Sequence, residues 1–136
     1  MREVEPKLKP IGFKLKKKFL ARPQRAQLTQ PGETMIARDW SADVNIFREV
    51  NVPLQTKNTE LSAQYNKICG AMTVEYRGEQ YTIQQMGRFL EDPDRDTREQ
   101  AWRLVAQRRL DDRDRIEDIF DQMLDTRHQI AANADF

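Results

Sequence analysis

The sequence predicts a mainly α-helical protein, in which long helices form an open array with one β-hairpin at about residues 72–83. Three observations support this fold class. Apolar residues recur at helical spacing along most of the chain. The spacing changes to a period of two only around the expected hairpin. Proline and glycine fall between these stretches, where turns are needed. The 136 residues correspond to one domain or to a piece of a larger one.

The N-terminal stretch, residues 1–32, is predicted to be a basic lead-in with one short helix. Pro6, Pro10 and Gly12 favour an extended or looped start. Apolar residues at helical spacing then indicate a helix over about residues 13–21. Residues 33–136 are expected to form a second, helical domain that also contains the hairpin.

A long helical pattern begins near Glu33 and is interrupted at Pro53. The proline ring removes one backbone hydrogen bond and clashes with the preceding turn, so the helix is expected to kink or restart. A restart would place Pro53 in the first turn, where a missing N–H group costs little. Gly70 is the expected end of the restarted helix.

The pattern around Arg77 and Gly78 is typical of an antiparallel hairpin. A two-residue turn at these positions gives one mostly apolar face and one polar face, as a half-buried hairpin requires. Gly78 supplies the positive φ that such turns need. The predicted pairs are Tyr76 with Glu79, Glu75 with Gln80, Val74 with Tyr81, Thr73 with Thr82 and Met72 with Ile83.

Two more helices are predicted after the hairpin. Thr82 and Gln85 have the spacing of a capping box, which would open a short helix. Asp92 is the expected cap of the following helix, with Pro93 at its first position. That helix is expected to continue to near the C-terminus, with a bend or a solvent-bridging middle in the charged stretch 108–115.

Charge is unevenly distributed along the chain. Residues 1–25 contain nine Lys/Arg and two Glu, a net charge of +7, whereas the remainder contains fourteen Lys/Arg and twenty Asp/Glu, a net charge of −6. One interpretation is a phosphate-binding arm. The favoured interpretation is a solvated basic helix that packs on, or steers toward, the acidic remainder. Its apolar residues form a stripe suited to docking, which a disordered arm would not need: Ile11, Leu15, Phe19 and Leu20.

The chain contains no recognisable catalytic or metal-binding motif. A zinc-protease helix needs two histidines, and His128 is the only histidine in the sequence. Cys69 is expected to be a buried, inert thiol, and His128 a capping or surface side chain, rather than a catalytic pair. The acidic groups at 91–96 and 111–118 lack the spacing and the glycine of a calcium loop. We therefore predict no catalytic, cofactor-binding or metal-binding residue in this chain, and its substrate-binding residues stay unknown.

Several features bear on where the protein resides. No apolar run reaches the roughly 18 residues of a membrane span, and the first residues lack the apolar segment of a secretory signal. The chain has 1 cysteine, so it cannot form an internal disulfide. A cytoplasmic protein without a membrane partner is the simplest expectation.

Several stretches between residues 40 and 136 carry a resemblance to a known family. They are Val52-Pro53-Leu54-Gln55-Thr56, Lys67-Ile68-Cys69-Gly70-Ala71-Met72-Thr73-Val74, Leu90-Glu91-Asp92-Pro93-Asp94-Arg95, Arg98-Glu99-Gln100-Ala101-Trp102-Arg103, and Arg127-His128-Gln129-Ile130-Ala131-Ala132-Asn133. In this order and spacing they resemble the N-terminal, non-catalytic half of the oligoendopeptidase F family, which are zinc metallopeptidases related to thimet oligopeptidase.

The resemblance implies that the chain is part of a larger α-helical metallopeptidase fold. In that family a helical half faces a catalytic half across a deep cleft, zinc activates a water molecule, and short peptides are the substrates. The family's His-Glu-x-x-His motif has no counterpart here, so we expect a non-catalytic fragment that is inactive alone. Asp135 stands where a glycine would be expected to close the last helix, and Asp adopts the left-handed conformation less readily.

Two functions from different classes remain open. The first is a wall of the peptide-binding cleft, with short peptides and the missing catalytic half as partners, and with zinc as a cofactor of the full-length family only. The alternative is an independent helical binding module that uses its basic arm, residues 1–25, on nucleic acid or another polyanion. Nucleic acid is the less expected partner. A fragment would also expose apolar stripes, so self-association is expected.

Overall fold

The computed structural model describes residues 4–136, except for the side chain of Glu5. Residues 1–3, part of the predicted lead-in, lie outside the described residues. The elements are α1 (Glu5–Leu20), a short 3-10 helix (Pro23–Gln27), α2 (Pro31–Ile46), α3 (Asn51–Gly70), β1 (Thr73–Tyr76), β2 (Glu79–Thr82), α4 (Ile83–Leu90), α5 (Arg95–Asp111) and α6 (Arg113–Ala132). The prediction of a mainly helical protein with one hairpin is confirmed. None of the helices in the described range is long and apolar enough to cross a membrane.

The chain divides into two compact units. The first unit contains Met1–Asn58 and Asp125–Phe136, and the second unit contains Thr59–Leu124. The boundaries between the units fall within α3 and α6. The predicted division between residues 32 and 33 stays a prediction.

The prediction of a looped start was wrong, because α1 begins at Glu5 rather than near residue 13. Pro6 lies at the start of the helix, where a missing N–H group leaves no bond unmade. Pro10 lies inside the helix. The carbonyl group it would clash with belongs to the first turn, so the distortion is confined to the helix start.

Aromatic pairs join α1 to the end of α2 in the first unit. The rings of Phe13 and Phe47 stack with centroids 4.3 Å apart, and Phe19 meets Trp40 edge-on at 4.8 Å. The predicted docking stripe was therefore only half right. Ile11 lies on the outward face of α1 and is 61% exposed. The face that packs on α2 is instead the one that carries the two phenylalanines.

The predicted restart at Pro53 is confirmed. After α2 ends, the chain turns and α3 begins at Asn51, which places Pro53 in the first turn, and α3 ends at Gly70 as expected. The buried Asn51 amide donates from Nδ2 to the Ile130 carbonyl at 2.9 Å and accepts at Oδ1 from Asn133 Nδ2 at 2.7 Å. These bonds tie the start of α3 to the end of α6 within the first unit.

The hairpin forms in the predicted register over four residue pairs, from Thr73 opposite Thr82 to Tyr76 opposite Glu79. Arg77 and Gly78 both have positive φ, 54° and 81°, as a two-residue turn of this twist requires. The fifth predicted pair, Met72 with Ile83, is absent from the ladder because Ile83 already begins α4.

The hairpin packs on α4 and α5 to form the core of the second unit. Its buried members are Val74, Tyr76, Met86 and Ala101. Half-buried side chains from the same elements surround them: Tyr81, Ile83, Phe89, Leu104 and Val105. A two-stranded hairpin is marginal alone in water, so these helices supply the apolar surface that it needs.

One helix cap was predicted correctly and one was not. Thr82 and Gln85 form the expected reciprocal bonds at the start of α4, at 3.2 and 2.8 Å. The cap of α5 is Asp94 rather than Asp92, and its carboxylate accepts from the Thr97 backbone N–H at 2.9 Å. Asp92 instead accepts from the Asp94 backbone N–H in the preceding turn. Thr97 decides the choice, because its hydroxyl also donates to Asp94 at 2.8 Å.

The last helical stretch is interrupted in the predicted place. α5 ends at Asp111 and α6 begins at Arg113, with Asp112 between them. At the C-terminus Asp135 adopts a positive φ of 67° in place of the expected glycine. The backbone N–H groups of Asp135 and Phe136 bond back to the last turn of α6, which is the usual closure around a left-handed residue.

Candidate ligand groove in the second unit

An open groove lies in the second unit, where the end of α3 meets the junction of α5 and α6. We call it the Asp112 groove. Its volume is about 460 Å³, within the range of roughly 300–1,000 Å³ typical of ligand pockets. The residues that line it are Gln64, Lys67, Ile68, Ala71, Arg108, Asp112, Arg115, Asp118 and Ile119.

Asp112 is the buried centre of the groove. Its Oδ2 atom accepts from Arg108 Nη1 at 2.7 Å, and its Oδ1 atom accepts from Arg115 Nη1 at 2.9 Å. One carboxylate therefore holds two guanidinium groups, one from each helix that meets at the junction. The hydrogen bond from Arg108 lowers the pKa of Asp112, burial opposes that shift, and Arg115 reinforces it. Asp112 is accordingly ionised near neutral pH.

The remaining lining residues include both charged and apolar side chains. Lys67 brings a third positive charge from α3, and within residues 4–136 its ammonium group has no ion-pair partner. Asp118 accepts a hydrogen bond from Gln122 Nε2 at 2.9 Å along α6. Ile68 and the buried Ile119 provide apolar surface. The groove is thus suited to binding an anion that carries an apolar group.

The two residues considered for nucleophilic chemistry lie in different units. Cys69 is a half-buried free thiol in the second unit. A hydrogen bond with Cys69 raises the pKa of the Tyr65 hydroxyl, which lies one turn earlier on α3. His128 belongs to the first unit. The expectation that neither side chain takes part in catalysis stays a prediction.

The described lysines of the basic arm are partly engaged within the first unit. Lys16 forms an ion pair with Asp43 at 2.5 Å, and Lys9 donates to Gln55 Oε1 at 2.8 Å. These contacts agree with a helix that packs on the chain.

Sequence reasoning did not single out the Asp112 groove, because its α3 residues are distant in sequence from the α5–α6 junction. A signal was nevertheless present in the charged stretch 108–115, where Arg108, Asp112 and Arg115 are spaced at i, i+4 and i+7. Side chains at that spacing share one side of a helix. The stretch predicted a bend or a solvent-bridging helix middle, with its acidic residues as i,i+4 partners for arginine, but it did not predict a groove.

The side chains of residues 4–136 that the structure describes do not fit a zinc site. Among the residues that the structure describes, no three His, Cys, Asp or Glu side chains are grouped so that they could hold a metal ion. A catalytic zinc site needs three such ligands from the protein.

Comparisons with known proteins identify the fold. No family model matches the sequence, and no curated protein sequence matches it. A solved structure provisionally named oligoendopeptidase F superposes with a TM-score of 0.92 and 24% identity, over 99% of this chain and 24% of the other. A protein of the same provisional name from Bacillus anthracis strain Ames gives a TM-score of 0.91 and 20% identity, over 99% of this chain and 25% of the other.

A third structure, PZ peptidase A with an inhibitor, gives a TM-score of 0.91 and 24% identity, over 99% of this chain and 24% of the other. The chain therefore spans about a quarter of the length of the structures that it matches. The resemblance noted in the sequence is confirmed at the level of the fold: this chain has the fold of a segment of the oligoendopeptidase F-like peptidases.

Proposed function

We propose that this chain is a non-catalytic helical segment of an oligoendopeptidase F-like zinc metalloendopeptidase, and that it forms a wall of the peptide-binding cleft. The observation that carries the proposal is the fold match, which covers 99% of this chain at a TM-score of 0.92 but only 24% of the matched peptidase. The longer protein would cleave short peptides in the cytoplasm. Its other partner would be the catalytic half, which supplies the zinc ligands.

The chemistry of the described residues supports a wall rather than a reacting centre. The Asp112 groove offers two guanidinium groups and an ammonium group, but no nucleophile beside a general base. Zinc bound by the catalytic half would lower the pKa of its water and polarise the peptide carbonyl. The long helices of this chain would limit the width of the cleft, so that flexible peptides enter and folded proteins do not.

The coding DNA around the codon for Phe136 provides the test. We expect a reading frame, continuous or shifted, that encodes a His-Glu-x-x-His motif further on. The longer protein, once expressed, should hydrolyse a quenched fluorescent peptide and stop when a chelator is added. The same assay should leave a folded protein substrate uncut. A genomic neighbourhood without that motif, or a longer protein without chelator-sensitive peptidase activity, would contradict the proposal.

A further inference from the structure

We propose that the Asp112 groove binds the C-terminal carboxylate of a short peptide, and that Lys67 and Arg115 are its principal contacts. The inference rests on the proposed function, because it names the part of a peptide that this wall would hold. The groove would bind a peptide with a free C-terminal carboxylate in preference to the same peptide with a C-terminal amide.

The charges in the groove match a ligand with a single negative charge. Three cations and two carboxylates line it, so the lining carries a net charge of +1. Asp118 also faces the groove, so a doubly charged anion such as phosphate would meet a repulsive carboxylate. A peptide carboxylate carries a single negative charge, so the repulsion from Asp118 is smaller.

The hydrogen-bonding capacity of the two arginines also fits a carboxylate. A guanidinium group carries five N–H donors. Arg108 and Arg115 each commit Nη1 to Asp112, at 2.7 and 2.9 Å, so other donors of each group remain for a ligand. Carboxylates accept paired bonds from this fork more effectively than spherical or singly accepting anions do.

The groove is ordered before a ligand arrives. Asp112 lies at the junction of two helices and holds Arg108 from the last turn of α5 and Arg115 from the first turn of α6. Two long side chains are therefore already fixed, so binding loses less side-chain freedom than it would on a mobile basic surface. The first turn of α6 adds the positive end of its helix dipole.

The apolar lining of the groove favours a peptide over a bare inorganic anion. Ile68, Ala71 and Ile119 line the same space as the charged groups. They would cover an apolar C-terminal side chain while the cations hold the carboxylate. The longer peptidase would then prefer substrates with a free C-terminus, and amidation would weaken their binding.

The test compares an acetylated tripeptide that ends in leucine with the same tripeptide as its C-terminal amide, by NMR titration of the isotope-labelled chain. We expect the acid to shift the backbone signals of Lys67, Arg115 and Ile119. The amide should bind about tenfold more weakly or worse, because it loses a charge-assisted hydrogen bond. Inorganic phosphate, used as a third probe, should bind more weakly than the acid.

Matched variants locate the contact. Lys67→Gln and Arg115→Gln should each weaken binding of the acid by about tenfold and weaken binding of the amide less, because each removes one charged donor. Lys57→Gln on α3 and Arg113→Gln on α6 make the same replacements outside the groove and should change neither ligand. Arg115 has a side chain that is 68% exposed, so its replacement should leave the fold intact, which circular dichroism would verify.

Two outcomes would overturn the inference: equal affinity for the acid and the amide, or no shift by the acid at millimolar concentration. Equal affinity would contradict the recognition of the carboxylate but would not affect the proposal that this chain forms a wall of the cleft. The chain could instead prefer the acid while the longer protein shows no peptidase activity. That result would contradict the proposed function but support an anion-binding site in the groove.

Discussion

The two units differ in what they bury. Among the residues that the structure describes, every buried hydrophobic side chain belongs to the second unit: Leu61, Met72, Val74, Tyr76, Met86, Ala101 and Ile119. The buried residues of the first unit are polar, namely Asn51 and Thr126. Half-buried aromatic pairs hold its helices together instead. The second unit therefore has a core of its own, whereas the first depends on ring contacts and on hydrogen bonds at helix ends.

This contrast predicts unequal stability, because local opening is easiest where few apolar contacts are buried. Backbone amides in the second unit should exchange with solvent more slowly than those in the first.

The largest effect is expected from Met86→Ala. Met86 is fully buried in the second unit, so its truncation leaves a cavity and should lower the free energy of unfolding by about 2–5 kcal/mol. Urea unfolding followed by circular dichroism measures the loss. Met35 on α2 has a side chain that is 53% exposed, so Met35→Ala makes the same replacement and should lower the free energy of unfolding by less than about 0.5 kcal/mol. Equal losses would show that the second unit lacks the core described here.

Asn51→Ala is expected to have the largest effect in the first unit. It leaves the Ile130 carbonyl and the Asn133 amide without their partners, which should cost about 1–3 kcal/mol. Hydrogen exchange should accelerate at the end of α6. Asn66→Ala, at an exposed position of α3, is the control and should change little. Unchanged exchange in Asn51→Ala would mean that these bonds do not hold the first unit together.

Two glycine replacements should have opposite signs. Gly78→Ala forces a Cβ atom into a residue with φ of 81° in the hairpin turn, and should destabilise the second unit by about 1 kcal/mol. Gly87→Ala lies in α4, has no atom within 4 Å of the added Cβ, and should stabilise by about 0.5–1 kcal/mol. Thermal unfolding distinguishes them. Stabilisation by both would indicate that the turn relaxes out of the left-handed region.

The pH dependence of stability should be sensitive to Asp112. The lowered pKa of Asp112 means that its contribution to stability is complete above its ordinary value of 3.8, and is lost as the pH falls through the lower pKa of the folded chain. Asp112→Asn should therefore be less stable than the parent chain near pH 7, with a difference that narrows near pH 2. Asp121→Asn, at an exposed position of α6, should show no such pattern. A difference that is independent of pH would contradict the ionic role of Asp112.

The smallest effect is expected for the alternative function of the first unit. Because Lys16 and Lys9 are engaged within the chain, we expect no measurable affinity for DNA or RNA at physiological salt. Fluorescence anisotropy at several salt concentrations would test this. Binding that requires the lysines of α1 and weakens steeply with salt would instead favour the nucleic-acid module.

The same contrast explains how far the sequence could be interpreted. In the second unit, local signals agree with tertiary structure: the period of two, the turn at Arg77 and Gly78, and the cap at Thr82 all predict what forms. In the first unit, Pro10 suggested a loop, but the contacts of Phe13 with Phe47 favour a helix. Such contacts between elements distant in sequence leave no periodic signal.

The Asp112 groove illustrates the same limit. Three residues of the groove were visible as a charged stretch, but Lys67 joins them only through packing of α3 against the α5–α6 junction. The cap at Asp94 was missed because two aspartates were equally suitable, and the Thr97 hydroxyl decided between them. Local propensity cannot resolve a choice that a side-chain contact makes.

The most direct test of a non-catalytic, peptide-binding segment is one NMR titration with a short free-acid peptide and zinc, followed over a day. We expect the signals of groove residues to shift while the peptide signals stay those of the intact molecule. Appearance of cleavage products that ceases when a chelator is added would contradict the central claim, because it would show that this chain alone supplies a working metal centre.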